Sequence, residues 1–212
     1  MYKYIKSALD RVCAALGLIV LAIPLLLIAL AIRCESRGKA IFKQVRTGLN
    51  GKEFYVYKFR TMWRTDVPFD KDNPVIEDDN AELTPAGKIL RKLKIDEFPQ
   101  LINVLRGEMS LIGPRPFMPV YYEQYANWEK ERLSVKPGMS GLAQVSGNGY
   151  LTSEERSYYD IYYARHLSFF TDVKIMFKTV GVLLLGEKKF LKPVSVADME
   201  KMKGGESADK AA

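Results

Sequence analysis

The chain is poor in the side chains that most often carry proton relays and soft-metal sites. It has one histidine, His166, and two cysteines, Cys13 and Cys34. A lone histidine with no partner cluster reads as structural or surface, not catalytic. The cysteines lie in or beside an apolar segment and form neither a CxxC pair nor a zinc spacing, so no disulfide framework or metal knuckle is expected. They fit reduced thiols of a cytoplasm-facing protein. No GxxxxGK[ST] loop occurs, which argues against simple P-loop nucleotide binding. There is no internal repeat and no recognised nucleic-acid module. No small-x-small cleavage site precedes Arg33, so the apolar segment is a poor signal peptide.

What the chain does have is positive charge. Its 212 residues suffice for one compact domain with a small core plus a membrane element. The net charge of +7 favours anionic partners such as headgroups, nucleotides or nucleic acid. The charge is uneven. Residues 1–65 hold twelve Lys/Arg against three Asp/Glu, whereas residues 66–82 hold seven acids and one lysine.

Val12–Ile32 is a run of 21 residues without a charged side chain. A helix needs about 20 apolar residues to span a bilayer. Lys3, Lys6 and Arg11 precede the run, and Arg33, Arg37, Lys39 and Lys43 follow it. A spanning helix concentrates cations on its cytoplasmic side, but here both flanks are basic. Pro24, near the middle, removes a backbone donor and breaks or kinks the helix. Such a helix can dip into one leaflet and return. A single span with a tolerated proline accounts for the run equally well. Residues 1–34 form the membrane element on either reading.

Residues 35–188 are the candidate cytoplasmic domain, of α+β class and mainly helical. Ala40–Thr47 and Glu53–Phe59 flank an Asn50-Gly51 pair, a strong hairpin signal. Residues 64–84 are polar and acidic and read as a loop. Pro85–Ile95 is expected to be a helix capped by Thr84, with proline at its first position. Further helices are expected over Glu97–Arg106, ending at Gly107, and over Met118–Leu133, Glu154–Ala164 and Phe170–Leu185. The last carries Phe169, Phe170, Phe177, Val180 and Leu184 beside Lys174 and Lys178, a pattern that fits an interfacial amphipathic helix or a core helix. Residues 189–212 are polar and read as a partly disordered tail.

The chemistry is expected around Asp96-Glu97, which follow Arg91, Lys92 and Lys94 and precede a helix start. An Asp at such a position often only caps the helix. The same position supplies N–H groups and a positive dipole end, which lower a carboxylate's pKa. An ionised Asp96 there suits nucleophilic attack on phosphorus. Glu97 suits Mg²⁺, which takes one or two carboxylates plus substrate phosphate oxygens. Arg115 is locked between Pro114 and Pro116, so it has little freedom to lose on binding phosphate, unless the tripeptide is only a turn. Lys58 and Arg60 end the second strand as two cations on one face, or as a solvated strand end. Glycines within 136–149 allow backbone to approach a ligand closely, or make ordinary turns.

Taken together, these segments resemble the bacterial sugar transferases, the monotopic phosphoglycosyl transferases, from about Tyr4 to about Leu185. The resemblance is carried by the proline-bearing apolar segment and by six pieces in order. These are Lys58-Phe-Arg-Thr-Met62, Asp96-Glu-Phe-Pro-Gln-Leu101, Gly113-Pro-Arg-Pro116, Lys136-Pro-Gly138, Gly141-Leu-Ala-Gln-Val145 and Asp160-Ile-Tyr-Tyr163. The family implies a re-entrant anchor, which favours that form here, and a minimal member of the family. It also implies a UDP-sugar donor and a polyprenol (undecaprenyl) phosphate acceptor, with the enzyme on the cytoplasmic face of the bacterial inner membrane. Asp96 would attack the sugar-linked phosphate, release UMP and carry the phosphosugar to the lipid, while Glu97 supports Mg²⁺. Lys58, Arg60, Arg91, Arg115, Gln144, Asn148 and Asp160 would bind substrate. Phospholipid is an expected partner, nucleic acid is not, and self-association is left open. The chain departs from the family pattern at Ile23, where small members often carry Ser, and at Asn148, where many carry Arg. The rivals are a membrane-anchored basic scaffold without catalysis and a direct glycosyltransferase that releases UDP.

Overall fold

The computed structural model describes residues 2–63 and 80–204. The acidic stretch 66–82 lies almost wholly outside these residues, as does the tail from 205 onward. The first element, α1 (Tyr2–Glu35), contains Pro24 and is long and apolar enough to cross a membrane. It runs as one helix, not as two pieces broken at proline. Pro24 is exposed, on the face turned away from the domain.

One face of α1 is laid against the domain over the whole helix. Lys6 and Asp10 are buried near its start, where Lys6 Nζ lies 2.8 Å from Asp172 and Ser110 Oγ donates to Asp10 at 2.6 Å. Ala14, Leu18 and Leu21 pack on Val56, Leu101, Val104 and Met109. Leu25, Ile28, Ala29 and Ile32 pack on Ala40, Phe59 and Leu90. These positions recur every three or four residues, the period of a helix face. The opposite face exposes Tyr4, Leu9, Val12, Leu16, Ile19, Val20, Ile23, Leu26, Leu27 and Leu30. An apolar surface of this extent marks a membrane or partner contact.

The hairpin forms as its sequence predicts. β1 (Ile41–Thr47) pairs antiparallel with β2 (Glu53–Phe59), with Phe42 opposite Lys58 and Arg46 opposite Phe54. Asn50 and Gly51 take the positive φ that the turn requires. α2 (Pro85–Lys92) is capped by Thr84, whose hydroxyl accepts from the Gly87 N–H at 2.9 Å. A 3₁₀ turn at Ile95–Gln100 leads into α3 (Leu101–Arg106), which ends at Gly107 with φ +80°. A second pairing, which sequence reading missed, joins β3 (Ser110–Ile112) parallel to β4 (Gly138–Ser140). A Cβ at Gly138 would lie 2.1 Å from the Gly113 nitrogen. These glycines therefore permit backbone to meet backbone.

The helix expected over Met118–Leu133 is absent. Two 3₁₀ turns stand there, at Pro119–Tyr121 and Glu129–Ser134. The buried Arg132 guanidinium lies 4.1 Å from the Phe117 ring. A continuous helix would hold residues fifteen apart at about 22 Å. α4 (Ser153–Arg165) begins with the Thr152–Glu155 capping box, and α5 (Phe169–Leu185) begins at Ser168. α5 buries Asp172 and Ile175 and exposes Phe170, Phe177, Val180 and Leu184, so it is amphipathic with its apolar stripe outward. The segment read as a polar tail carries α6 (Val196–Lys203), whose Met199 and Met202 join Tyr158, Tyr159 and Ile161 in the core.

Arg60, expected at the substrate, is 4% exposed and directed at the end of α1. It donates to the carbonyls of Arg37 and Ser36 and to Ser36 Oγ, each at 2.7 Å. Replacing it strands those carbonyls. Arg60→Met is expected to lower the free energy of unfolding by about 2–4 kcal/mol. Urea titration in detergent micelles tests this, and an unchanged midpoint would contradict it.

Candidate active site

Three segments converge on Glu97. Lys58, near the end of β2, donates to Glu97 Oε1 at 2.7 Å. Arg115 donates to the same oxygen at 2.8 Å and to Oε2 at 3.4 Å. Burial pushes the Glu97 carboxyl up, but the charges and hydrogen bonds of Arg115 and Lys58 outweigh it and hold Glu97 well below the usual carboxylate range. Burial pulls the Lys58 ammonium down, and Glu97 opposes that pull. Glu97 is therefore ionised between two cations.

Arg115 is positioned by its neighbours. The Gly113 N–H donates to Ser140 O, and the Gly138 N–H donates to Pro114 O, both at 2.8 Å. The Thr47 N–H donates to Phe117 O at 2.9 Å, and Arg46 Nη1 reaches Pro116 O at 3.4 Å. Behind the loop, Arg132 stacks on Phe117 and is ion-paired with Asp160, which is buried. Burial raises the Asp160 carboxyl to about 6 against the pull of Arg132. Asp160 thus supports the loop through Arg132.

Asp96 is buried in the first part of the 3₁₀ turn, and Lys94 precedes that turn with left-handed φ +56°. Glu97 is held by two cations, whereas Asp96 has no direct ion pair among the described residues. Its pKa is raised, not lowered as the sequence reading expected. Burial is the larger cause and the Glu97 charge the next, with Lys58, Arg91 and Lys94 pulling the other way. A short 3₁₀ turn has little macrodipole to offset the desolvation. The result is a more basic carboxylate facing cations that do not neutralise it directly.

Beside Glu97 lies a small cleft lined by Arg46, Val56, Lys58, Gln100, Arg115 and Pro116, of which Lys58 and Arg115 hold Glu97. Arg46 was not singled out in the sequence. Its register opposite Phe54 puts it on the same sheet face as Lys58, so alternation from the Asn50-Gly51 turn would have found it. Burial and the Arg115 charge lower its pKa to about 10, so it stays protonated at neutral pH. Glu187 was also missed. It lies just beyond α5, with Lys94 Nζ at 3.3 Å and Asn148 Nδ2 at 2.9 Å, and its charge bears on Arg115. Gln144 donates to Met139 O at 3.0 Å, while its buried Oε1 has no hydrogen-bond partner among the described residues. Thus the structure gathers Asp96, Glu97, Lys58, Arg91 and Arg115 by contact or by charge, brings Asn148 to the rim, and turns Arg60 and Asp160 to structural partners.

Cationic side chains around adjacent carboxylates suit a diphosphate whose phosphorus is attacked by one carboxylate while the other holds the cations in place. The family model for bacterial sugar transferases matches residues 1–186. An uncharacterized sugar transferase of Bacillus subtilis is 40% identical over 86% of this chain and 89% of its own. The UDP-glucose:undecaprenyl-phosphate glucose-1-phosphate transferase of Caulobacter vibrioides is 43% identical over 87% of this chain and 72% of its own. The UDP-N-acetylgalactosamine-undecaprenyl-phosphate N-acetylgalactosaminephosphotransferase of Aeromonas hydrophila is 36% identical over 88% of this chain, which spans only 45% of that longer protein. With the anchor, the hairpin and the Asp96-Glu97 site all inside the matched residues, the chain belongs to the bacterial sugar transferase family.

Proposed function

We propose that this chain transfers a sugar-1-phosphate from a UDP-sugar to polyprenol phosphate at the cytoplasmic face of a bacterial inner membrane. The observation that carries the proposal is the buried Asp96, without an ion pair among the described residues, beside a Glu97 clamped by Lys58 and Arg115. The names of the relatives supply the substrate classes.

In the first step an Asp96 carboxylate oxygen attacks the sugar-linked phosphorus. A P–O bond forms to Asp96, the P–O bond to the bridging oxygen breaks, and UMP leaves with that electron pair. In the second step an oxygen of polyprenol phosphate attacks the same phosphorus. The bond to Asp96 breaks, the carboxylate is restored, and polyprenyl diphosphate sugar is released. Lys58, Arg46 and Arg115 hold the diphosphate and the charge that gathers on the transferred group. Both nucleophiles are already anions, so neither step needs a general base.

Magnesium is proposed as cofactor, because the donor set fits it. Among the described residues no group of three or more His, Cys, Asp or Glu could enclose a metal. Mg²⁺ needs few protein carboxylates when phosphate oxygens and water complete its shell. Glu97 would hold it through Oε2, which carries only the longer 3.4 Å contact to Arg115. When bound, it would neutralise charge on the diphosphate.

The topology follows from α1. Lys6 near one end and Ile32 near the other contact the same domain. This supports a helix embedded in one leaflet with both ends cytoplasmic, its exposed face and that of α5 in lipid. Cysteines placed singly at Lys3 and Lys39, with Cys13 and Cys34 replaced by serine, test it in intact cells. Both should resist an impermeant thiol reagent, and labelling at position 3 alone would show a span.

The chemistry is tested by incubating the protein with donor and Mg²⁺ but no lipid. Intact mass should rise by one phosphosugar on Asp96, and the gain should vanish in EDTA and in Asp96→Asn. The acid limb of labelling should lie above the ordinary aspartate value of about 3.9. Glu97→Gln removes a neighbouring negative charge and frees Lys58 and Arg115, so the limb of its residual labelling should move to lower pH. Unaltered labelling in Asp96→Asn would refute the nucleophile.

A further inference from the structure

We propose that Glu187 and Asn148 form the subsite that reads the hydroxyl groups of the donor sugar, with Lys94 linking that subsite to Asp96. This rests on the sugar-phosphate transfer proposed above. Three segments distant in sequence meet at one carboxylate oxygen, where Asn148 Nδ2 lies 2.9 Å and Lys94 Nζ 3.3 Å from Glu187 Oε1. Both partners are held in left-handed backbone, Lys94 at φ +56° and Asn148 at φ +44°, and Glu187 follows Gly186 at φ +84°. The one other non-glycine residue with positive φ among the described residues is Asn50, in the hairpin turn. Such conformations are sparsely populated by non-glycine residues and persist where surrounding structure enforces them.

The chemistry of the subsite is the opposite of that of the cleft that Arg115 lines. Arg46, Lys58 and Arg115 attract phosphate, and a carboxylate repels it. Glu187 therefore does not extend the phosphate site. An ionised carboxylate is acceptor-only and takes hydroxyl donors, and an amide supplies both a donor and an acceptor. Glu187 nevertheless belongs to the same site, since its charge bears on Arg115 and its partner Lys94 stands two residues from Asp96. A sugar joined to the phosphorus that Asp96 attacks must lie within a few ångströms of that carboxylate. A polar group left unpaired by the wrong sugar gives strong discrimination.

The test is calorimetric binding of UDP, UDP-glucose, UDP-galactose and UDP-N-acetylgalactosamine to the full-length protein in nanodiscs. An Asp96→Asn background prevents turnover. The parent should prefer one UDP-sugar over UDP. Glu187→Gln and Asn148→Ala should each cut that preference at least tenfold and leave UDP affinity within twofold, which also reports that the site is folded. Equal weakening of UDP and UDP-sugars, or unchanged preference in both variants, would overturn the subsite. Failure of the transfer reading itself is seen separately, as no UMP release by the unsubstituted chain with any of these donors and polyprenol phosphate.

Discussion

The double ion pair of Glu97 with Lys58 and Arg115 organises this protein's chemistry. It joins the hairpin, the 3₁₀ turn after α2 and the proline-locked loop after β3, segments 39 and 18 residues from Glu97. Removing one member of such a buried set leaves an uncompensated charge, at a cost of about 3–5 kcal/mol. Arg115 is partly exposed, so its side of the pair lies lower in that range. The set carries one net positive charge before Arg46 and Arg91 are counted. That surplus suits the diphosphate proposed as donor, while at Asp96 the Glu97 charge adds to burial and Lys58, Arg91 and Lys94 oppose them.

The scarcity of histidine becomes intelligible on this account. General bases are needed where the nucleophile must lose a proton. Here an aspartate and a phosphate monoester are proposed as the two nucleophiles, and both are anionic near neutral pH. The demand falls on charge stabilisation, which arginine and lysine supply. His166 fits this division: its Nδ1 lies 2.9 Å from Tyr162 O and its ring stacks on Tyr162, at the end of α4.

Much of the fold was legible because its signals are local. Asn50-Gly51 set the hairpin, Thr84-Pro85 set the start of α2, and Gly107 set the end of α3. The parallel β3–β4 pair was not legible, since three-residue strands 28 positions apart depend on glycines meeting across space. The 118–133 segment failed for a related reason: its aromatic spacing suits a helix, but Arg132 folds back onto Phe117. Within the site, Asp96, Glu97 and Arg115 were visible from charge and proline placement. Arg46 required applying the hairpin register to side chains. Glu187 could not be inferred, because only the left-handed turn at Gly186 brings it to Asn148 and Lys94.

The central claim is a two-step displacement in which the first half proceeds without lipid. Exchange of radiolabelled UMP into UDP-sugar, with polyprenol phosphate omitted, reads that half-reaction directly. The account predicts exchange that depends on Asp96 and is slowed as lipid acceptor drains the intermediate. A chain that makes the lipid-linked product at full rate yet exchanges no UMP in the absence of lipid would contradict it.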